Sequence, residues 1–254
     1  GDINLSDLFA SLTRATTEDP KSITINKGLS ATIDPNGYSI TGVDEGTASF
    51  GLIYNSGNLT ITNSSSNQSR IALVAKVDRD WNAYSSVISN NPGGNLLVKG
   101  NVLIEHLGGT DMAYGIDNLT NGKGTSAIAT VEGATVKSTY RAIRQFLNGI
   151  EATNELYVKD GSKIYGPDNK SIWMQDPSAN ANTGKLVVED GAELYGDVYL
   201  SVTAGSTEWP VEVSIANSAL QGESTVLTSN VPAGYEVKNE NGTWIVKSNY
   251  VAKV

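Results

Sequence analysis

Two carboxylates and a tryptophan stand close together in the segment Asp78-Arg79-Asp80-Trp81. Because side chains alternate along an extended strand, Asp78 and Asp80 would share one face, where paired carboxylates can act as general acid and base. Trp81 offers a flat ring on which a sugar can stack. The alternative is a solvated acidic loop whose Trp81 covers the flank of the fold, and the residues alone leave both hypotheses open.

A small group of basic residues forms the second candidate site. Arg141 and Arg144 lie near Lys137, and a guanidinium binds a carboxylate through two parallel hydrogen bonds, so this group can hold an acidic sugar. If the chain is an enzyme, we expect Asp78, Asp80 and Arg141 to be its catalytic residues. The alternative is a set of surface charges that offsets a net charge of -9.

Metal and histidine chemistry is narrowly limited by composition. Cysteine is absent and His106 is the single histidine, which excludes disulfides, thiolate sites and paired-histidine sites. Glu105 is badly placed to orient His106, since neighbouring strand residues point to opposite faces. Asp111, Asp117 and Asn118 carry oxygen ligands suited to Ca²⁺, but they follow no calcium-loop spacing. We expect no cofactor, with Ca²⁺ at these three residues as the alternative.

Aromatic side chains are the remaining candidates. Several tyrosines, Tyr199 among them, fall at related places in similar segments, and two tryptophans lie in insertions between them. Outward aromatics on a sheet make a platform for sugar rings, whereas an aromatic stack inside the core is the alternative. The predicted ligand-binding residues are Trp81, Tyr157, Tyr165, Trp173, Tyr195 and Trp209.

An internal repeat predicts the strands and turns that carry these residues. Residues 156–166 align with 186–196 at six identical positions of eleven, and looser copies occupy 129–136 and 96–102. The spacing of equivalent strand positions averages about 31 residues, a period that signals stacked units rather than one closed core. The positions taken as equivalent are Ile25, Ile61, Val98, Val131, Val158, Val188 and Val213.

Each unit of the repeat reads as a strand, a tight turn and another strand. Leu156, Val158 and Ile164 alternate with polar neighbours, so one face of each strand is buried. Such short strands cannot bury an apolar row alone, and copies must therefore stack, with hydrogen bonds between coils about 4.8 Å apart. The prediction is an all-β, single-stranded parallel β-helix with asparagines at its corners and Asp-Gly turns in its repeats.

Both ends of such a stack need a cap, because open strand edges promote aggregation. Apolar residues at helical spacing predict a capping helix over about residues 4–13. An Asn-Gly turn at Asn241 and Gly242, between two alternating strands, predicts an antiparallel hairpin at the other end. We assign residues 1–222 to the β-helix and residues 223–254 to the hairpin cap, as one structural unit.

Net charge and hydropathy limit the classes of partner that the chain is expected to bind. Lys and Arg total 18 against 27 Asp and Glu, and the pI is about 4.6, so nucleic acid and anionic membrane surfaces are repelled on average. No apolar run of about 18 residues occurs, so we expect no transmembrane segment. The expected partner is a surface glycan, or a host or bacterial protein, and not a nucleic acid.

Two segments resemble a known architecture. The run from Thr32 to Gly42 resembles a segment in the first coils of bacterial right-handed β-helix surface proteins, although Pro35 stands where they have an apolar residue. The run from Leu52 to Ser64 is similar to a coil of pectin-lyase-like, autotransporter-like adhesins. The resemblance is good over about residues 20–65. It implies a right-handed coil and an exported bacterial protein, secreted or attached at the cell surface, for which adhesion or glycan binding is a common role.

The leading hypothesis is therefore a non-catalytic β-helix that serves in cell adhesion or glycan binding. One alternative is a lyase or glycoside hydrolase for acidic polysaccharide, or a degenerate relative of one, although the chain lacks the Asn-Thr-Asp and Gly-His-Gly segments of polygalacturonase-like hydrolases. A further alternative is a structural spacer. An enzyme predicts carboxylates converging in a groove, a binding protein predicts aromatics and amides there, and a spacer predicts neither.

Overall fold

The computed structural model describes residues 22–78, 83–109, 111–176 and 182–249. In this part of the chain, parallel strands coil into a β-solenoid of about seven turns, and the only helix is the short 3-10 turn Asn217–Ala219. The prediction of an all-β parallel solenoid is confirmed. The predicted capping helix over residues 4–13 lies outside the described residues.

Three faces make up the solenoid, and a full coil contributes one strand to each. The first face contains β2 (Ser30–Ile33), β5 (Asn58–Ile61), β8 (Asn95–Lys99), β11 (Ser126–Glu132), β14 (Thr153–Val158), β16 (Thr183–Val188) and β18 (Val211–Ala216). The second face contains β3 (Ser39–Asp44), β6 (Ser69–Ala75), β9 (Val102–Leu107), β12 (Thr135–Lys137) and the first halves of β15 (Lys163–Asp176) and β17 (Glu193–Val202).

The third face carries the candidate functional site. It contains β1 (Ile23–Ile25), β4 (Phe50–Asn55), β7 (Ser85–Asn90), β10 (Ala113–Thr120), β13 (Arg141–Leu147), the second halves of β15 and β17, and β19 (Val226–Ser229). In β15 and β17 the chain runs from the second face into the third within one strand. The two faces therefore belong to one continuous hydrogen-bonded sheet.

Apolar residues of the repeat stack in register on the first face and fill the core. The predicted equivalences hold across the middle coils, where the partners in order along the stack are Ile61, Val98, Val131, Val158 and Val188. All five side chains are buried. Stacking identical apolar positions is what allows strands this short to bury their inner side.

At both ends the register differs from the prediction. Ile61 pairs with Ile33, while Ile25 lies on the third face, and Val188 pairs with Ile215 rather than Val213. Val213 and Ile215 lie two residues apart on β18 and both point inward, so spacing alone does not distinguish them. Ile25 and Ile33 are both buried at the ends of strands on different faces, and spacing alone does not show which of them begins the first-face row.

A ladder of buried amides occupies the corner between the third and first faces. The Asn55 amide donates to Asn90 Oδ1, Asn90 to Asn118 Oδ1, and Asn118 to Asn154 Oδ1, each at 2.7 Å. Gln145 takes the next position on the third face and donates to the Asn154 carbonyl at 3.0 Å. The ladder satisfies polar groups that the corner would otherwise bury unpaired, and it confirms the predicted corner asparagines.

The turns between the first and second faces repeat as well. Gly161 and Gly191 follow Asp160 and Asp190, and both glycines have positive φ, 74° and 87°. Their main chains are joined across coils by the Gly161 N–H, which donates to the Gly191 carbonyl at 3.1 Å. The Asp-Gly pairs are therefore structural turns, as predicted.

The predicted antiparallel hairpin closes the C-terminal end of the first face. Strands β20 (Tyr235–Glu240) and β21 (Thr243–Ser248) flank the turn at Asn241 and Gly242, and β21 pairs antiparallel with β18. Half-buried side chains of the hairpin, among them Trp244 and Val246, pack against the core. The hairpin thus covers a strand edge that would otherwise stay open.

Candidate functional site

Strand alternation sets the outer surface of the third face. Ile143, Ile172 and Val198 are in register and belong to the core, so the residue after each of them points outward. These outward positions form one row along the solenoid, which reads Tyr54, Ser89, Asp117, Arg144, Trp173, Tyr199 and Leu227.

An aromatic cavity, which we name the Trp173 cavity, opens on this row and has a volume of about 370 Å³. Trp173 and Tyr199 lie in register on neighbouring coils and both line it, together with Gln175, Ser201 and Asn230. The indole N–H of Trp173 donates to Ser201 Oγ at 3.3 Å, which fixes the ring. Half-buried rings beside amide and hydroxyl groups are a lining suited to a sugar.

A second cavity, which we name the Phe146 cavity, adjoins the first and has a volume of about 290 Å³. Phe146 is in register with Gln175 of the Trp173 cavity, and adjacent strands lie about 4.8 Å apart. The two cavities therefore form one stretch of surface along the solenoid axis. The residues that line the Phe146 cavity are Ala83, Tyr84, Met112, Leu119, Asn121, Arg144, Phe146 and Asn148.

The charge of Arg144 is neutralised within the protein. Its guanidinium makes two hydrogen bonds to the Asp117 carboxylate, and rings of Tyr114 and Phe146 lie 4.6 Å from the guanidinium carbon. Burial raises the pKa of Tyr114, and burial together with the charge of Asp117 raises the pKa of Tyr84. The floor of the Phe146 cavity is therefore aromatic and without net charge.

Arg141 has a different environment from Arg144. Its guanidinium carbon lies 3.6 Å from the Trp173 ring centroid and 4.6 Å from that of Tyr140, and the residue is 8% exposed. Within the described residues, its Nε and Nη1 atoms have no hydrogen-bond partner. Burial lowers the pKa of the Arg141 guanidinium. The predicted basic patch is thus divided, because Arg144 is paired with Asp117 while Arg141 packs against aromatic rings.

The predicted aromatic residues do not form one platform. Tyr165 and Tyr195 stack in parallel on the second face with centroids 4.4 Å apart, and Lys137 lies over Tyr165 at 5.0 Å. Tyr157 points outward from the first face, and Trp173 lies in a third-face strand rather than in an insertion. The reason is that each coil turns three corners, so related positions in sequence can fall on different faces.

Four more predicted site residues lie away from the two cavities or outside the described residues. Trp209 is buried in the core, and its indole N–H donates to the Val211 carbonyl at 2.7 Å. Asp78 is exposed in the loop after β6. Asp80 and Trp81 lie outside the described residues, so the pairing of carboxylates stays a prediction.

His106 is buried at a corner of the second face. Its Nε2 lies 2.9 Å from Ser85 Oγ, which in turn donates to Asp44 at 2.8 Å. Glu105 points away and pairs with Arg70 at 2.7 Å, which agrees with the expected alternation. The histidine therefore belongs to a buried polar network.

The three residues considered for Ca²⁺ are not gathered into a site. Asp117 is held by Arg144, Asn118 belongs to the amide ladder, and Asp111 is exposed in the loop before β10. In the described part of the chain, no three acidic or histidine side chains converge as a metal site. Side-chain alternation explains this for Asp117 and Asn118, which point to opposite sides of β10.

Comparisons with known proteins find no matching family model, no matching curated protein and no matching solved structure. The resemblance to pectin-lyase-like surface proteins therefore stays a prediction. Among the described residues, no helix has the length and apolar character needed to cross a membrane.

Sequence reasoning missed most of the lining of the two cavities. Tyr84, Met112, Phe146 and Gln175 were not identified, and Tyr199 was noted as an aromatic but not as a site residue. The signal that could have identified these residues was the sequence of the third strand of each coil. Extending the repeat alignment past the second strand would have placed Arg144, Trp173 and Tyr199 in one row.

Proposed function

We propose that this protein is a non-catalytic, exported β-solenoid of the bacterial cell surface that binds glycan along its third face. The proposal includes a right-handed coil and a capping helix at about residues 4–13, as the sequence resemblance and the helical spacing suggest. Cell adhesion is the role that best suits a rigid stack which presents one binding face.

One observation carries the proposal. Trp173 and Tyr199 stand in register on neighbouring coils and line a cavity of about 370 Å³ with amide and hydroxyl groups beside them. Sugar rings pack their C–H groups on aromatic faces, while amides and hydroxyls bond the ring hydroxyls. Aromatics and amides are the lining expected of a binding protein.

The test is binding to an array of plant, host and bacterial polysaccharides, with and without Ca²⁺, while the length of each bound polymer is followed. We expect binding without shortening. Shortening of a bound polymer would support the lyase or hydrolase hypothesis instead, and Asp78, Asp80 and Arg141 would then be substituted first. Absence of binding to every polysaccharide would favour a spacer or a protein partner.

A matched pair of variants locates the surface. Tyr199→Ala removes a ring from the Trp173 cavity, and Tyr195→Ala removes a ring from the second face of the same strand, β17. We expect Tyr199→Ala to weaken binding at least tenfold, as loss of an aromatic anchor commonly does, and Tyr195→Ala to leave it unchanged. Equal losses in both variants would argue against the third face.

A further inference from the structure

The Phe146 cavity has an apolar wall that the proposed glycan surface does not by itself explain. Met112, Leu119 and Phe146 are all half-buried, so each keeps part of its apolar surface in contact with water. A neighbouring Arg144 guanidinium lies 4.6 Å from the Phe146 centroid and fixes that ring. Apolar side chains that stay exposed around a small cavity can bind an apolar group of a ligand.

Met112 immediately precedes β10, and its backbone and side chain are both held in place. Its φ of 50° lies in the left-handed region, which is unfavourable for a residue with a Cβ atom. Its carbonyl accepts from the Ser85 N–H at 2.9 Å, and its sulfur accepts from the Tyr114 hydroxyl at 3.4 Å. The surrounding structure thus fixes the thioether in the wall of the cavity, which makes the apolar wall a preformed feature.

Two amides line the same cavity. The side chains of Asn121 and Asn148 make no hydrogen bond to protein within the described ranges, whereas the asparagines of the corner ladder are fully engaged. Each amide offers both a donor and an acceptor. They are therefore available to a ligand group that itself carries an N–H and a C=O.

Charge favours a neutral ligand at this position. Among the described residues that line the cavity, Arg144 alone is charged, and its two hydrogen bonds to Asp117 offset that charge at the floor. Because the guanidinium and the carboxylate offset each other, neither an anionic nor a cationic group would gain an opposite charge there.

We infer that the Phe146 cavity receives the acetamido group of a 2-acetamido sugar, with the methyl against Met112, Leu119 and Phe146 and the amide bonded to Asn121 and Asn148. A sugar with a hydroxyl in place of the acetamido group would press that hydroxyl against the apolar wall, where it loses its water without gaining a partner. The inference rests on the proposed function, because it names the class of sugar that the third face binds.

The position of the cavity fits an oligosaccharide that continues along the solenoid. Phe146 and Gln175 are in register on adjacent strands, so a sugar anchored by its acetamido group lies next to the Trp173 cavity. The next ring of the chain can then stack on Trp173 or Tyr199.

The experiment compares four methyl β-glycosides by saturation-transfer NMR on the full chain: the 2-acetamido derivatives of glucose and galactose, and the two parent sugars. We expect the acetamido methyl protons to receive the strongest saturation. We expect affinities at least tenfold higher than for the hydroxyl counterparts, which is the discrimination that a fitted small apolar group can supply.

Variants then test the two parts of the cavity separately. Phe146→Ala should remove the preference for acetamido sugars, and Asn148→Ala should weaken their binding several-fold. Asn95→Ala, an exposed asparagine of the first face, is the control and should change nothing. Because Phe146 also packs on Arg144, thermal unfolding is measured beside binding, and Asn148→Ala provides the test should Phe146→Ala fail to fold.

The remaining outcomes overturn the inference in distinguishable ways. Equal binding of acetamido and parent sugars, sensitive to Tyr199→Ala but not to Phe146→Ala, would refute the acetamido site and leave glycan binding intact. Tighter binding of N-acetylalanine methylamide than of any sugar would reassign the cavity to peptide. Failure of all four glycosides and of every polysaccharide in the array would remove both the inference and the proposed function.

Discussion

Arg144 and Asp117 lie opposite each other on adjacent coils and are joined by two hydrogen bonds, 2.7 Å from Nε to Oδ1 and 2.6 Å from Nη2 to Oδ2. The two residues are 5% and 0% exposed, and Tyr84, Tyr114 and Phe146 surround the guanidinium. This pair connects β10 to β13 and forms the base on which the Phe146 cavity is built.

Breaking this pair from one side should be costly. We expect Arg144→Met to lower the free energy of unfolding by about 3–5 kcal/mol, because Asp117 would remain buried without a partner. Urea denaturation measures the change. Adding Asp117→Leu should recover part of the loss, since no buried charge then remains. If the double variant were no more stable than Arg144→Met, desolvation of the carboxylate could not be the cause.

Arg141 should behave in the opposite way. Arg141→Met keeps a long side chain against Trp173 and removes a charge whose Nε and Nη1 lack partners in the described residues. We expect the free energy of unfolding to change by less than about 1 kcal/mol or to increase, because donors buried without hydrogen bonds cost free energy that an apolar side chain of similar length does not. The same urea titration, run beside Arg144→Met, checks it. A loss as large as that of Arg144→Met would show that Arg141 has an essential partner.

The amide ladder should contribute to the free energy of unfolding of the solenoid. Asn90 accepts from Asn55 and donates to Asn118 and to the Ile128 carbonyl. We expect Asn90→Ala to lower the free energy of unfolding by about 2–4 kcal/mol, because partners on both neighbouring coils lose a buried hydrogen bond. Thermal and urea unfolding measure it. Asn95→Ala serves as the surface control, and a similar loss in the control would contradict the ladder's role.

Two corner glycines separate backbone strain from crowding. Gly108 and Gly100 have φ of 70° and 76°, but a Cβ on Gly108 would clash with the Ala75 carbonyl oxygen, whereas one on Gly100 meets nothing within 4 Å. Gly100→Ala should therefore cost about 1–2 kcal/mol from conformation alone. Gly108→Ala should cost clearly more, since main chain must move. Equal melting temperatures for the two variants would refute the crowding.

Two tyrosine–glutamate pairs predict a loss of folding stability at high pH. Hydrogen bonds to Glu155 and Glu193 raise the pKa of Tyr157 and of Tyr195 to about 12. Because the folded pKa is raised, the stability from each pair is present below about pH 10, the ordinary tyrosine pKa, and is lost as pH rises toward 12. Phenolate absorbance follows the titration.

Glu193, the hydrogen-bond partner of Tyr195, makes folding stability depend on pH in the acidic range as well. The same hydrogen bond lowers the pKa of Glu193, so its contribution is present above the ordinary glutamate pKa and is lost as pH falls through the depressed value. Glu193→Gln should bring the titration of Tyr195 back toward lower pH and leave that of Tyr157 unchanged. A shift of both tyrosines would mean that the two pairs are not independent.

The repeat, the tight turns and the inward residues of the middle coils could all be predicted from the amino-acid sequence. These features are local: Leu156, Val158 and Ile164 alternate within a few residues, and the Asp160-Gly161 turn needs only its own backbone. The C-terminal hairpin follows in the same way from its Asn-Gly turn. A solenoid is stabilised by contacts between neighbouring repeats, so a local pattern repeated is enough to predict it.

The face that each aromatic residue occupies, and the charged residues that pair, could not be predicted without the three-dimensional structure. Tyr195 and Tyr199 are four residues apart, yet a corner within β17 places them on different faces. Arg141 and Arg144 look equivalent in sequence, but Asp117 lies in register with Arg144 alone. Register between coils depends on the summed length of three strands and their loops, and the cavities follow from that register rather than from any single repeat.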